Sequence, residues 1–223
     1  MIKRGFWKSS GALLLLILMI EPSHASEFRE VSFETDDGGT IFGNLYGEGS
    51  HAIVPAHGRA FNKESWQEQA LEMKNQGLQV LAIDFRGYGK SKPGKKAKAL
   101  ELDVLAAIDY LKGEGAERVS LLGASMGGGA VGRAVVKAKA DAVGRVVLLA
   151  AAPPVDNPKK LKGNKLFVVS EGDYFAKSTR EQFEKAPGSK RLEILPGDAH
   201  AQHIFKTNQG DVITKLILDF LTE

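Results

Sequence analysis

A serine framed by glycines is the clearest candidate for chemistry in this sequence. Residues 123–127 read Gly-Ala-Ser-Met-Gly and follow the apolar run 119–122 directly. The next residues, 126–139, are rich in glycine and alanine and have the pattern of a helix. A G-x-S-x-G motif between a strand and a helix places its serine on a sharp turn with the hydroxyl exposed. Ser125 is therefore a candidate nucleophile for acyl transfer, and the glycines leave room where a side chain would meet backbone.

The elements that must hold this turn alternate between short apolar runs and longer amphipathic ones. We predict strands at 31–33, 41–46, 52–56, 78–83, 119–122, 146–150, 166–169 and 192–195, and helices at 64–76, 100–112, 126–139 and 210–221. Continuous apolar strands separated by amphipathic helices indicate a parallel sheet that is buried on both faces. The first two strands flank Asp-Asp-Gly-Gly and form a hairpin. The predicted fold class is α/β, with eight mostly parallel strands, an antiparallel N-terminal edge and helices on both faces.

Two further sequence blocks follow predicted strands: one comes at the end of the strand 52–56, and the other directly after the strand 78–83. Residues 56–59 read Ala-His-Gly-Arg, and residues 84–91 read Asp-Phe-Arg-Gly-Tyr-Gly-Lys-Ser. Together with the serine turn, these blocks resemble the α/β-hydrolase superfamily over nearly the whole chain beyond its N-terminal segment. The resemblance is to small members without a cap domain, either serine esterases of the dienelactone-hydrolase type or serine aminopeptidases. The segment 151–165 is accordingly expected to be a loop, since it is too short for a cap.

The resemblance also implies the oxyanion donors and the base. In relatives with His-Gly after the third strand, the next backbone N–H binds the oxyanion; here that residue is Arg59, and its partner is the N–H of Met126. The family order of serine, acid and histidine directs attention to histidines beyond the serine. His200 lies in the loop after the last predicted strand and is the expected base. His203, three residues later, stays open as an alternative.

The acid is expected in the loop after the seventh strand. Asp173 follows the apolar run there and is the leading candidate for the carboxylate that orients the histidine. Glu171 lies two residues earlier, and Asp156 follows the sixth strand, a position that some relatives use. Asp198 is close to His200 in sequence but is expected to cap the loop. The choice between Asp173 and Asp156 stays open at this point.

These residues imply hydrolysis of an ester-like acyl bond through an acyl-enzyme on Ser125. A cleft without a cap suits small or extended acyl substrates, and its expected walls are Phe61, Tyr88, Pro153 and Tyr174. The same triad would also serve a peptidase, a thioesterase or an acyltransferase, and a binding module without catalysis is the remaining alternative. The chemistry needs no cofactor and no metal, and the sequence has no ligand cluster with metal spacing.

The N-terminal segment has the layout of a signal peptide. Positive residues near the start precede the apolar run 11–20, and Ser23-His24-Ala25 offers small residues for cleavage before Ser26. We predict removal of residues 1–25, a single domain over 26–223, and export to the periplasm or the medium. An uncleaved anchor is the alternative, but the apolar run has about half of the roughly 20 residues that a membrane span needs. No membrane span is expected after cleavage.

Charge and cysteine content limit the kinds of binding partner and the cell compartments to be expected. Without residues 1–25, the 30 Lys and Arg become 27 and the 27 Asp and Glu become 26, which leaves a net charge near +1. The basic run 90–98 contains five lysines and no aromatic residue, and it is expected to be a solvated loop. No nucleic-acid partner is therefore expected. The absence of cysteine excludes disulfides and is compatible with an oxidising compartment.

Overall fold

One eight-stranded sheet organises the computed structural model, which describes residue 1 and residues 27–223. The strands are β1 (Arg29–Glu34), β2 (Thr40–Tyr46), β3 (His51–Ala56), β4 (Gln79–Ile83), β5 (Arg118–Ala124), β6 (Arg145–Leu149), β7 (Asn164–Ser170) and β8 (Lys190–Leu195). Their order across the sheet is β1-β2-β4-β3-β5-β6-β7-β8. The pairs β1–β2 and β2–β4 are antiparallel, and all other pairs are parallel. The predicted fold class, including its antiparallel N-terminal edge, is confirmed.

Helices cover both faces of the sheet, which is why its central strands are apolar on both sides. The helices are α1 (Gln67–Asn75), α2 (Leu100–Gly113), α3 (Met126–Lys137), α4 (Ala176–Lys185) and α5 (Gly210–Thr222). Every residue of β3 and β4 is buried. Helices α2 and α3 pack with one apolar cluster, and α1 and α5 pack with the cluster on the opposite face. Parallel strands of this kind bury both faces because their connections cross over them.

The loop after β4 is fixed by buried charges. Arg86 forms ion pairs with Asp37 at 3.0 Å and with Asp103 at 2.7 Å, and all three side chains are almost completely buried. Burial alone would lower the pKa of Arg86, but the hydrogen bonds to the two carboxylates outweigh it and raise that pKa. Asp84 accepts hydrogen bonds from both the N–H and the Nζ of Lys63, at 2.8 and 2.9 Å. The block at 84–91 therefore holds a loop in place beside the site.

The connection between β6 and β7 contains no cap domain. It consists of loop residues and one short 3₁₀ helix, Pro158–Lys160. This agrees with the expectation drawn from its length. The carboxyl ends of the parallel strands, where ligands bind in open α/β sheets, are therefore left open on this side.

The predicted signal peptide lies outside the described residues, except for Met1. Within the described part of the chain, no helix is both long enough and apolar enough to cross a bilayer.

Candidate functional site

The turn between β5 and α3 holds Ser125 in a strained conformation. The serine has φ 50° and ψ −115°, which residues with side chains rarely adopt. Its N–H donates to the carbonyl of Leu149, and its carbonyl accepts from the N–H of Ala152, both at 2.9 Å. These two bonds tie the serine backbone to the end of β6. The surrounding structure therefore maintains the strain at Ser125, which is partly buried.

The glycines on either side of Ser125 are required by close backbone contacts. A β-carbon at Gly123 would lie 2.6 Å from the carbonyl oxygen of Gly127. A β-carbon at Gly127 would lie 2.1 Å from the carbonyl oxygen of Ala56, at the end of the neighbouring strand. Real β-carbons do not approach other atoms so closely. The motif therefore allows α3 to start directly against β3, with Ser125 between them.

Three side chains meet above this turn. The Nε2 atom of His200 lies 2.7 Å from the Oγ atom of Ser125, and its Nδ1 atom lies 2.7 Å from an oxygen of Asp173. The other oxygen of Asp173 accepts the N–H of Phe175 at 2.7 Å. Because an ionised carboxylate only accepts, the proton of neutral His200 resides on Nδ1 and leaves Nε2 free to accept. This arrangement suits a histidine that takes a proton from serine.

Burial separates the roles of the acid and the histidine. The Asp173 side chain is fully buried, whereas the His200 side chain is 35% exposed. The acid follows β7 and the histidine follows β8, as the sequence predicts. A buried carboxylate with an N–H donor on its far oxygen is held in one orientation. It can therefore fix the imidazole while the opposite edge of the ring contacts Ser125.

The alternative acids and histidines are placed elsewhere. In the described residues, no ion pair joins His200 to Asp156, Glu171 or Asp198. The ring of His203 packs against a phenylalanine instead of approaching the serine. His51 contacts the hydroxyl of Ser120, near the opposite ends of the strands. Of the acids and histidines considered from the sequence, Asp173 and His200 are the ones that form the hydrogen-bonded line to Ser125 in the described chain.

His57 orients the peptide that carries the first predicted oxyanion donor. Its Nδ1 atom lies 2.8 Å from the carbonyl oxygen of Gly58, and its Nε2 atom accepts the N–H of Phe85 at 3.2 Å. His57 is fully buried, and burial lowers its pKa, so the ring is neutral with its proton on Nδ1. The carbonyl of Gly58 and the N–H of Arg59 belong to one planar trans peptide and point in opposite directions. Holding the carbonyl towards His57 therefore turns the N–H of Arg59 away from it.

Two backbone N–H groups beside the serine remain available. A β-carbon at Gly58 would lie 3.5 Å from the β-carbon of Ser125, so this loop borders the serine directly. Within the described chain, the N–H groups of Arg59 and Met126 have no hydrogen-bond acceptor. Met126 is the first residue of α3, where the helix dipole also favours negative charge. The pair has the character of an oxyanion hole.

Tyr88, expected in the cleft wall, also supports this loop. Its hydroxyl donates to the carbonyl of Arg59 at 3.1 Å and lies 3.6 Å from the sulfur of Met126. Its ring packs edge-on against His57, with 4.7 Å between the ring centroids. The side chain therefore contacts both residues that carry the free N–H groups. The sequence gives its place in the cleft but not this hydrogen bond.

The other expected cleft residues differ in their distance from the reacting atoms. Phe61 packs on the ring of His203 at 5.0 Å. Tyr174 is 92% exposed and packs on Phe175, whose ring in turn lies 5.4 Å from that of His200. Phe175 therefore lies closer to the base than Tyr174 does, and the sequence analysis missed it.

Pro153 lies in the loop that follows β6, with its backbone packed against the start of α3. A β-carbon at Gly129 of that helix would lie 2.7 Å from the carbonyl oxygen of Pro153. The side chain of Pro153 is exposed. In the described structure, no hydrogen bond joins Pro153 to Ser125 or His200, so its expected place in the cleft wall stays a prediction.

Gln202 is a buried residue beside the site that the sequence does not single out. It is 4% exposed, and its Oε1 atom accepts the N–H of Gly58 at 2.7 Å. Its position two residues after His200 is the one sequence signal that could have drawn attention to it.

Among the described residues, no cluster of three or more His, Cys, Asp or Glu side chains could hold a metal ion.

The sheet order, the strained serine turn and the three hydrogen-bonded side chains define an α/β-hydrolase. An esterase from Pyrococcus furiosus superposes with a TM-score of 0.75 over 88% of this chain and 92% of its own, at 18% sequence identity. A dienelactone hydrolase from Anabaena variabilis superposes with a TM-score of 0.72 over 88% and 98%, at 21% identity. At these identities the likeness concerns the fold alone.

Sequence comparison gives the family. The model of the family described as serine aminopeptidase, S33, matches residues 47–172, which is more than half of the chain. The chain belongs to this family.

Characterised relatives cover parts of the chain. A non-heme chloroperoxidase from Kitasatospora aureofaciens is 32% identical over 168 residues, which are 70% of this chain and 61% of that protein. A bifunctional esterase/perhydrolase from Acinetobacter calcoaceticus is 34% identical over 125 residues, 54% of this chain and 44% of that protein. The chain thus spans about half the length of these curated relatives.

Proposed function

We propose that this protein hydrolyses carboxylic esters through an acyl-enzyme on Ser125. The observation that carries the proposal is the unbroken line of hydrogen bonds from Asp173 through His200 to Ser125, with 2.7 Å at each step. The serine lies on a strained turn beside two backbone N–H groups that have no acceptor among residues 27–223. A nucleophile, a base with an orienting acid, and oxyanion donors are the parts that acyl transfer needs.

In the first half of the proposed reaction, Nε2 of His200 takes the proton of Ser125 while Oγ attacks the ester carbonyl carbon. The carbonyl electron pair moves to oxygen, and this oxyanion accepts hydrogen bonds from the N–H groups of Arg59 and Met126. When the intermediate collapses, the bond to the alcohol breaks and the alkoxide takes the proton from His200. The acyl group is left on the serine.

In the second half, water replaces the alcohol. His200 takes a proton from the attacking water, a second oxyanion forms at the same place, and the serine leaves with the proton from His200. The carboxylate of Asp173 stabilises the imidazolium in both halves without being protonated. Every proton transfer passes through one nitrogen, so correct orientation of His200 by Asp173 matters for both steps.

The open cleft favours small or extended acyl groups. The connection after β6 contains no cap, and aromatic rings lie around the site: Tyr88 packs on His57, Phe175 on His200, and Phe61 on His203. Flat apolar walls bind acyl chains or rings with little geometric restriction. Such a site suits esters with an accessible carbonyl.

The family description and one relative's name each motivate a rival reaction on the same serine, and the shared acyl-enzyme allows others. The family is described as serine aminopeptidases, which would make the leaving group an amine. The Acinetobacter relative is named as a perhydrolase as well as an esterase, which would make hydrogen peroxide a second acyl acceptor. A thioesterase or acyltransferase would use the same acyl-enzyme with a thiol as the leaving group or another acceptor.

A substrate panel on residues 26–223 tests these reactions together. It contains p-nitrophenyl esters of increasing acyl length, acyl thioesters and aminoacyl p-nitroanilides, each with and without hydrogen peroxide. The proposal expects the highest kcat/KM for an ester with water as acceptor, and no turnover by Ser125→Ala. A preference for an amide, a thioester or peroxide would replace the ester assignment.

A fluorophosphonate probe tests the nucleophile separately from the substrate. The probe should label the wild-type protein on Ser125 and leave Ser125→Ala unlabelled. Absence of labelling together with absence of turnover would favour a binding module without catalysis.

A further inference from the structure

A buried amide connects the loop of the base to the loop of the oxyanion donor. Gln202 lies two residues after His200, and its Oε1 atom accepts the N–H of Gly58 at 2.7 Å. Gly58 immediately precedes Arg59, the residue whose N–H is proposed to bind the oxyanion. Gln202 is 4% exposed, so this hydrogen bond is shielded from water. The two loops that must cooperate in the reaction are therefore joined by one side chain.

The orientation of this amide is determined by its neighbours. Its Nε2 atom donates to the Oγ of Ser65 at 3.0 Å. The hydroxyl of Ser65 gives its own hydrogen to the carbonyl of Asn62, so its oxygen is available as an acceptor. The N–H of Gly58 is a donor and needs the amide oxygen. A flipped amide would place donor against donor at Gly58.

Apart from the N–H of Arg59, each backbone N–H and carbonyl of Gly58 and Arg59 has a hydrogen-bond partner. The carbonyl of Gly58 accepts from Nδ1 of His57 and from the N–H of Phe61. The carbonyl of Arg59 accepts from the hydroxyl of Tyr88. With Gln202 on the N–H of Gly58, the N–H of Arg59 is the one group of this segment left without a partner in the described chain. The segment is thus preorganised to offer that single donor.

The chain between the base and the amide is bent to allow both contacts. Ala201 has φ 49°, a left-handed conformation that residues other than glycine seldom adopt. This bend lies between His200, which contacts Ser125, and Gln202, which contacts Gly58. Both contacts originate from the same strained turn.

We infer that Gln202 is a positioning residue: by accepting the N–H of Gly58 it fixes the His57–Gly58 peptide, and through the backbone of Gly58 it holds the next peptide so that the Arg59 N–H points at the oxyanion. The inference rests on the proposed function, because the oxyanion exists only if Ser125 attacks a carbonyl. Gln202 touches no reacting atom and acts through the backbone of Gly58. Its loss should therefore weaken binding of the transition state more than binding of the substrate.

Gln202→Met tests the inference, since it keeps the volume and removes both polar atoms. On the best ester of the panel, kcat should fall about 10- to 100-fold with KM within about twofold, below the 10²- to 10³-fold loss of a whole oxyanion donor. A trifluoromethyl ketone gives a second readout. Oγ of Ser125 adds to its carbonyl carbon, the proton passes to His200, and the ketone oxygen becomes the oxyanion. Its Ki should rise by the same factor as kcat falls.

Gln182→Met is the matched control. Gln182 is also 4% exposed, its Oε1 accepts the N–H of Val155 at 2.8 Å, and its Nε2 donates to the carbonyl of Ser178 at 3.2 Å. The substitution deletes the same atoms from an equally buried site that takes no part in the proposed reaction. It should lower stability to a similar extent while kcat and the inhibitor Ki stay at wild-type values.

Gln202→Asn covers the case in which the methionine variant does not fold. It keeps the amide but is one methylene too short to reach Gly58, so the same loss of kcat is expected. Equal kcat and Ki in the Gln202 variants and in Gln182→Met would overturn the inference. A shift in the acidic limb of kcat/KM would also overturn it, because the effect would then act through His200. A wild-type protein with neither labelling nor turnover would overturn the proposed function and this inference with it.

Discussion

Gly127 lies directly against the carbonyl of Ala56, so closely that a β-carbon on the glycine would be 2.1 Å from that oxygen. The contact joins the first turn of α3 to the end of β3, the strand that leads into His57. It therefore sets the distance between the serine turn and the oxyanion loop. A glycine of the sequence motif and a strand end 71 residues earlier form one structural unit.

Gly127→Ala should consequently disturb both stability and activity. The added methyl group has backbone on its contact side and cannot be accommodated by a rotamer change, so we expect a loss of about 1–3 kcal/mol in the free energy of unfolding. Activity should fall further than the folded fraction, because separating α3 from β3 moves Met126 away from Arg59. Urea unfolding and kcat on the same preparation measure the two effects.

Gly113→Ala is the control for this substitution. Gly113 ends α2, and a β-carbon there would meet nothing within 4 Å. Alanine favours a helix over glycine by up to about 1 kcal/mol, so this variant should be as stable as the wild type or more so. Equal stability of the two alanine variants would contradict the role given to the Gly127 contact.

Asp173→Asn should reduce kcat about 10³- to 10⁴-fold while leaving the fold intact. The asparagine can present an N–H to Nδ1 of His200, which favours the tautomer with its proton on Nε2 and removes the acceptor for the serine proton. The measurement is kcat on the best ester, with circular dichroism as the check on folding.

Asp156→Asn provides the comparison, because Asp156 was the other acid considered from the sequence. It forms no ion pair with His200 in the described structure and should keep wild-type kcat. If Asp156→Asn were the variant with the large loss, the assignment of the acid would be wrong.

Long apolar patterns made most of the sheet predictable. The strands β3 and β4 are buried on both faces and read as continuous apolar runs, so sequence alone locates them. Helix α4 was not located, because the residues that it buries are Ala176, Thr179 and Gln182. A buried face with two polar side chains has no apolar period to detect.

The three hydrogen-bonded residues of the site could be predicted from the sequence, whereas Gln202 could not. Ser125, Asp173 and His200 each follow a recognisable strand, and parallel strands bring their carboxyl ends to one edge. Gln202 contacts Gly58 across 144 positions of sequence, and the loop that carries it has no periodic pattern. Its role depends on a single long-range hydrogen bond, which only coordinates reveal.

Tyr88→Phe should lower kcat about two- to tenfold with little change in KM. The substitution removes the hydrogen bond of 3.1 Å to the carbonyl of Arg59 and leaves the ring packed on His57. A looser Arg59 peptide would bind the oxyanion less well, and one neutral hydrogen bond contributes about 0.5–1.5 kcal/mol, which corresponds to this range. Steady-state kinetics on one ester give the comparison.

Tyr110→Phe is the matched control for the hydroxyl. Tyr110 lies in α2 and stacks on Phe33 at 5.0 Å, away from the serine turn. Its kcat should equal that of the wild type. A similar fall in both tyrosine variants would show that the effect is not specific to the oxyanion loop.

Export of the protein should yield a chain that begins at Ser26. The prediction depends on the apolar run 11–20 and the small residues before the cleavage position. Intact mass spectrometry of the protein recovered from the periplasm or medium of a bacterial host gives the mature N-terminus. Ala25→Arg, which removes the small residue at the cleavage position, should leave a longer chain that still carries residues 1–25. Recovery of a full-length soluble protein would contradict the prediction.

Stability should fall as the pH decreases below about 6.5, the ordinary pKa of a histidine in an unfolded chain. Burial, followed by the charges of Arg118 and Arg145, lowers the pKa of His51, and burial lowers that of His57. The folded state then binds fewer protons than the unfolded state below that pH, so stability rises with pH up to about 6.5 and levels off above it. Each of the two histidines changes the free energy of unfolding by at most about 1.4 kcal/mol per pH unit.

His51→Gln separates this effect from the titration of the site. Nε2 of His51 lies 2.9 Å from the hydroxyl of Ser120, a contact that an amide can replace without gaining a charge. Urea unfolding between pH 5 and 7 should show a shallower slope for this variant than for the wild type, while kcat at pH 7.5 is unchanged. Parallel slopes would mean that His51 is protonated equally in the folded and unfolded chains, contrary to its buried position near two arginines.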